Sequence, residues 1–190
     1  MKLCFATNNP HKIAEVQQLL GHAFDIVSLQ DIGCQEELPE TQTTLEGNSA
    51  QKAQFVHQHY QIDCFADDTG LEVSALQGEP GVYSARYAGL QRNSQANMQK
   101  VLDKLQGETD RHARFRTVIT LILGGKQHTF EGIALGTIAQ APTGQEGFGY
   151  DPVFIPEGYE QSFAEMSLEE KNSISHRARA VRKLVDFLRN

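Results

Sequence analysis

No stretch of this 190-residue chain is apolar for the roughly 20 residues a bilayer crossing needs, and Met1 to Ala6 lacks the extended apolar core of a secretory signal. A soluble cytoplasmic protein with no membrane partner is the expectation. Cysteine is scarce. Cys4, Cys34 and Cys64 are odd in number and form no C-x-x-C pair, which argues against a disulfide framework or a zinc site and for buried, reduced thiols. A cationic surplus is also missing, with 17 Lys and Arg against 24 Asp and Glu for a formal net charge of −7. General affinity for nucleic acid polymers is therefore not expected. Between Ile13 and Gln51 there is no Lys or Arg at all, but there are seven acids: Glu15, Asp25, Asp31, Glu36, Glu37, Glu40 and Glu46. Such a segment is ordinarily solvated surface, although one or two of its carboxylates can hold a hard cation. The G-x-x-x-x-G-K-[ST] phosphate loop is absent, as are internal repeats, linkers and low-complexity tracts, so residues 1–190 read as one domain.

What is present is an alternation of strand and helix signals. Lys2 to Ala6 reads as a strand, followed by a helix whose first turn holds Pro10, whose apolar stripe is Ile13, Val16 and Leu20, and whose stop is Gly21. Strands are expected at Asp25 to Leu29 and at Ile62 to Ala66, with a helix over Ser49 to Tyr60 between them. On this reading Asp67-Asp68-Thr69-Gly70 lies at a strand's carboxyl end, the edge where open α/β sheets bind ligands. Met98, Val101, Leu102 and Leu105 mark a helix. Ala113 to Leu123 and His128 to Ala139 form a hairpin about Gly124-Gly125. Ser167 and Glu170 form a capping box ahead of a short helix, and Val181, Leu184, Val185 and Leu188 define a C-terminal one. The expected fold is α/β, a mixed sheet flanked by helices with a cleft between two lobes.

Four stretches can carry chemistry. Thr7-Asn8-Asn9-Pro10-His11-Lys12 is a strand-to-helix loop whose helix N-terminus and Lys12 would suit phosphate, although many such loops bind nothing. Asp67 and Asp68 are adjacent on a strand and so face opposite ways. One can hold Mg²⁺ or orient water while the other bonds to backbone; an Asx-turn or helix cap using both accounts for them equally well. Gly144 to Pro152 packs glycines, Phe148 and Tyr150 around Gly147, Gly149 and Asp151, so backbone can approach a ligand closely and a ring can stack on a base; a tight turn is the plainer account. Lys171 to Arg177 offers donors from His176 and Arg177 that would select a keto oxygen, against the commoner meaning of a solvated basic helix end.

Taken together, F-A-T-N-N-x-x-K, E-T at Glu40, G-N-S-A-Q-K-A from Gly47, F-A-D-D-T-G-L-E-V from Phe65, P-G-V-Y-S-A-R-Y-A-G from Pro80, G-F-G-Y-D-P-V-F from Gly147 and K-N-S-I-S-H-R-A from Lys171 resemble the inosine triphosphate pyrophosphatase family. The resemblance runs from Lys2 to Leu188. It implies an elongated two-lobed α/β homodimer that hydrolyses ITP, dITP and XTP to the monophosphate and pyrophosphate with Mg²⁺. By motif position it implies Asp68 as catalytic acceptor and metal ligand, Glu40 as its metal partner, and Thr7, Asn8, Asn9, His11 and Lys12 as phosphate-binding residues. Thr69 is implied as a substrate contact, and Phe148, Gly149, Tyr150, Asp151, Lys171, His176 and Arg177 as the nucleotide and base pocket. The chain departs from many relatives at Gly47 and Ser49, where they carry an acid and an alanine, which puts more weight on Glu40. It also departs at His11, whose side chain falls at a variable position. A nucleotide-binding sensor and a hydrolase of modified pyrimidine triphosphates are the competing readings; the Asp67-Asp68 pair and Lys12 weigh against the sensor.

Overall fold

The computed structural model describes residues 2–20 and 24–189. The strands are β1 (Lys2–Phe5), β2 (Asp25–Val27), β3 (Cys64–Val73), β4 (His112–Leu123), β5 (Lys126–Ile138) and β6 (Phe154–Pro156). The helices are α1 (Pro10–Leu20), α2 (Leu45–Tyr60), α3 (Ser94–Lys104), α4 (Leu168–Ile174) and α5 (His176–Arg189). The strands form one six-stranded sheet in the order β2-β1-β3-β4-β5-β6. It is mixed, as expected: β1 pairs in parallel with β2 and β3, and β5 pairs antiparallel with β6. The β4–β5 hairpin turns on Gly124 and Gly125, at φ 54° and 76°, the two positive angles that a turn matching strand twist requires. The helix stop expected at Gly21 lies outside the described residues.

Two compact units emerge, and β3, β4 and β5 contribute residues to both. The first comprises Met1–Asp68, Thr117–Gly132 and Arg177–Asn190. Alternation along its strands sorts two cores. Leu3, Phe5 and Phe65 face Val16 and Leu20 of α1 and Val181 and Leu184 of α5, with the Phe5 and Phe65 rings stacked 4.5 Å apart. Cys4, Cys64 and Ala66 point the other way, onto Ala53 and Val56 of α2. The cysteines are buried and free, and burial pushes the Cys4 and Cys64 thiols up to about 12, so they are inert at neutral pH. The second unit, Thr69–Arg116 and Ile133–His176, packs Leu71, Val101, Leu105, Phe115, Phe154 and Phe163 into a core of its own. Among the described residues no helix is long and apolar enough to cross a membrane.

Two expectations are corrected. Helix α2 begins at Leu45 rather than Ser49, because the Thr44 side chain caps it by accepting from Gly47 N, which brings Gly47 and Asn48 into the first turns. Strand β3 does not stop before Asp67 but runs through Asp67-Asp68-Thr69-Gly70 to Val73. A side chain at Gly70 would meet Gly81 O at 2.6 Å, so the glycine serves close approach of another segment rather than a strand-ending turn. Both aspartates lie within the strand rather than in a turn after it. Pairing of β1 with β3 ends at Phe5–Phe65, however, so both carboxylates lie just beyond the carboxyl end of β1.

Candidate active site

The period of two that sorts the cores also separates Asp67 from Asp68. Asp67 shares a face with Phe65 and points toward α1 and α5: Lys12 Nζ donates to Oδ1 at 2.9 Å, and Arg177 Nε to Oδ2 at 3.2 Å. Arg177 Nη1 donates in turn to Glu15 of α1. Glu15, Asp67 and Arg177 are all at least 97% buried. The acid-rich segment is thus not wholly solvated surface; its first member forms a buried ion pair. Burial alone would raise the Asp67 carboxyl, but Lys12, Arg177 and Lys52 outweigh it and hold Asp67 well below the usual carboxylate range. Burial likewise opposes charge on Arg177, and Glu15 and Asp67 overcome it.

Asp68 shares a face with Ala66 and points toward α2. Asn48 Nδ2 donates to its Oδ2 at 3.1 Å, and Lys52 Nζ lies 3.6 Å from Oδ1. The same ammonium donates to Glu40 Oε1 at 2.6 Å. Asn48 and Lys52 are one helical turn apart, which puts both on one face of α2. Glu40 reaches them because the chain before α2 lies close: Gln42 N donates to Asn48 Oδ1 at 2.9 Å, and a Cβ at Gly47 would stand 2.7 Å from Gln42 Cβ. Gly47 therefore leaves room for the segment that delivers Glu40. Burial and then Glu40 push the Asp68 carboxyl up, against the opposing pull of Lys52, Lys12 and the Asn48 bond. In metal-free protein, Lys52→Met is expected to move Asp68 protonation to still higher pH, because the largest charge holding it down is gone. A carboxyl-carbon NMR titration reads this, and an unmoved Asp68 midpoint would contradict it.

Two hard oxygen donors, Glu40 and Asp68, therefore converge on the place of one cation. No group of three or more His, Cys, Asp or Glu side chains with metal-binding geometry exists among the described residues. That donor set fits Mg²⁺, which binds through one or two carboxylates with water and phosphate completing its shell.

In the phosphate-loop candidate, Asn9 Oδ1 accepts from His11 N at 3.0 Å and Lys12 N at 3.3 Å, and Thr7 Oγ1 accepts from Asn9 N at 3.2 Å. The loop caps its own helix, and its cationic element is Lys12. Asn8 and His11 are exposed.

The second unit holds the remaining candidates. Asp151 Oδ2 accepts from Phe148 N at 2.7 Å and from Lys171 Nζ at 2.7 Å, with both charged side chains 3% exposed. Gly147, at φ 73°, is required here: a Cβ would collide with the Asp151 carboxylate. The Lys171 ammonium stands 5.1 Å from the centre of the Phe148 ring, within cation–π range. His176 opens α5 with its ring stacked 4.5 Å from Phe115. Tyr150 is buried, while Thr69, Phe148 and Gly149 are half-buried. A concavity of about 620 Å³ over β3 to β6 is lined by Glu72, Arg114, Leu135, Ile155 and Tyr159 among others, and by none of these candidates.

Glu15, Asn48, Lys52 and the engaged state of Asp67 were not anticipated. The Asn48/Lys52 spacing within G-N-S-A-Q-K-A was the available signal; Glu15 carried none, since its partner lies 162 residues away.

Comparison with known proteins accords with the motif resemblance. The dITP/XTP pyrophosphatase of Flavobacterium psychrophilum is 56% identical over 190 residues, covering 100% of both chains. That of Bacillus subtilis is 45% identical, covering 96% of this chain and 94% of its own. Among solved structures, the Ham1 protein of Staphylococcus aureus superposes with a TM-score of 0.90 at 36% identity, over 100% of this chain and 98% of that one. The dITP/XTP pyrophosphatase of Mycobacterium abscessus gives 0.79 at 40% identity, over 97% and 99%. The Ham1 family matches residues 3–187, and with identity at this level along its whole length the chain belongs to that family.

Proposed function

We propose that this protein hydrolyses noncanonical purine nucleoside triphosphates, namely dITP, ITP and XTP, to the monophosphate and pyrophosphate in an Mg²⁺-dependent reaction, and that it works as a cytoplasmic homodimer. The observation that carries the reading is the convergence of Glu40 and Asp68 on one cation position, beside a second carboxylate already neutralised by Lys12 and Arg177. The names borne by its relatives support it.

A triphosphate brings close to four negative charges to a chain of net charge −7, so acceptance depends on local positive charge. When bound, Mg²⁺ offsets phosphate charge and polarises the phosphoryl oxygens. Glu40 and Asp68 would hold it, and Lys12 and Lys52 would supply positive charge to the phosphate oxygens. Asp68 accepts the proton of the attacking water, oriented by Asn48. In the second unit, Phe148 offers a stacking face, and Lys171 with Asp151 fixes the loop that bears it. His176, at the start of α5, supplies a donor to O6 of hypoxanthine or xanthine, whereas the neighbouring Arg177, implied for the same task, is committed to Asp67 and Glu15. Adenine presents an amino group there instead and leaves a buried donor unmatched, at about 1–3 kcal/mol. That is on the order of ten- to a hundredfold per group.

A nucleotide panel scored by pyrophosphate release tests the reading. Release from dITP and XTP should exceed that from dATP by at least about tenfold and stop on chelation with EDTA. Preference for a pyrimidine triphosphate, or nucleotide binding with no turnover at any divalent metal, would replace it.

A further inference from the structure

The P-G-V-Y-S-A-R-Y-A-G stretch is among the longest of the family motifs, yet nothing above assigns it a task. Its hydrogen bonds do. Ser84 is 7% exposed; its Oγ donates to Gly81 O at 2.7 Å and accepts from Leu71 N at 2.9 Å. Leu71 lies on β3 two residues beyond Thr69, and the intervening Gly70 is the position where a Cβ would meet Gly81 O. The Ser84 carbonyl accepts at 2.8 Å from the hydroxyl of Tyr150, the residue between Gly149 and Asp151 in the glycine loop. The motif is fastened on its other side by Asn97 of α3, whose Nδ2 donates to Ala85 O at 3.0 Å and whose Oδ1 accepts from Ala88 N at 2.6 Å. A single short segment is thus bonded to the strand that carries Thr69, to α3, and to the loop that carries Phe148.

We infer that Ser84 and Tyr150 are positioning residues: the motif is a strut that sets where the Phe148–Asp151 loop lies relative to Thr69, and so where a purine base is held. Tyr150 acts through its buried hydroxyl on the loop and not by touching the base. The loop is held at one point by Asp151, bonded to Phe148 N and Lys171, and at another by Tyr150, bonded to Ser84. Without the Tyr150 bond the loop loses its tie to the segment that also holds Leu71 of β3. A tyrosine hydroxyl used only to stabilise the fold would affect every ligand alike, whereas a strut for the loop affects only ligands that carry a base. The inference rests on the base-pocket reading above.

Calorimetric titration of Tyr150→Phe with inosine monophosphate and, separately, with magnesium pyrophosphate distinguishes these. The expected result is about tenfold weaker binding of inosine monophosphate, the size of one lost neutral hydrogen bond, with pyrophosphate affinity within about twofold of wild type. Ser84→Ala, which frees Leu71 N but keeps the carbonyl, is expected to shift the same ligand in the same direction by a few-fold. Equal weakening of both ligands, or no change for inosine monophosphate in a variant whose thermal midpoint shows it folded, overturns the strut. Wild-type protein that binds pyrophosphate but not inosine monophosphate overturns the base-pocket reading itself and the strut with it.

Discussion

Asp68→Asn is expected to reduce pyrophosphate release from dITP by about a thousandfold at saturating nucleotide and Mg²⁺, the range set by loss of a positioned proton acceptor. On the proposed reading the substitution removes the negative charge that would hold Mg²⁺ and the basic oxygen that would take the proton, but little else. An amide oxygen at this position can still accept from Asn48 Nδ2, and its place on β3 between the α2 face and the sheet is unchanged. The variant should therefore fold with wild-type cooperativity. A continuous assay of pyrophosphate release decides the matter: a rate within tenfold of wild type would remove Asp68 from the chemistry.

The largest effect on stability is expected at Arg177. Its guanidinium is 1% exposed and lies between Glu15 and Asp67, so Arg177→Met leaves two buried carboxylates facing an apolar side chain. Breaking a buried pair from one side costs about 3–5 kcal/mol, which urea unfolding at pH 7 would register as a large fall in midpoint. The pH dependence follows from Asp67, whose carboxyl is held below its ordinary value in the folded protein. Such a group stabilises fully above its unfolded pKa of about 3.9 and loses that contribution as pH falls toward its folded value. The difference between wild type and Arg177→Met should consequently be greatest near neutrality and narrow on acidification below about pH 4. A gap that stayed constant, or widened, would show that Asp67 is not the group Arg177 holds ionised.

Local rules reached far into this chain. The apolar stripe of α1, the capping box of Ser167 and Glu170, and the double-glycine hairpin are decided by neighbours within a few residues, and each occurs where the sequence places it. The alternation that parts Asp67 from Asp68 was equally legible. What local rules missed depends on distant partners. Ile62 to Ala66 reads as a strand, but the observed one runs from Cys64 to Val73, and its continuation brings Gly70 against Gly81, a contact no period reveals. Helix α2 began early because Thr44 caps it, in a threonine-rich stretch where several hydroxyls were equal candidates. Lys52 appeared within a recognised motif, yet its significance came only when Glu40, twelve residues earlier, folded back on it. Glu15 was indistinguishable from its solvent-facing neighbours until Arg177 was in place.

The opposed orientation of the paired aspartates also limits how this enzyme can be re-engineered. Inserting one residue between Phe65 and Asp67 would shift the register by one, placing Asp67 where Asp68 now meets Asn48 and Lys52 and turning Asp68 to the opposite face. Text that still spells D-D would then have exchanged its anchor for its reagent. Grafting the pair into another sheet will succeed only if parity is preserved, whatever else is copied with it.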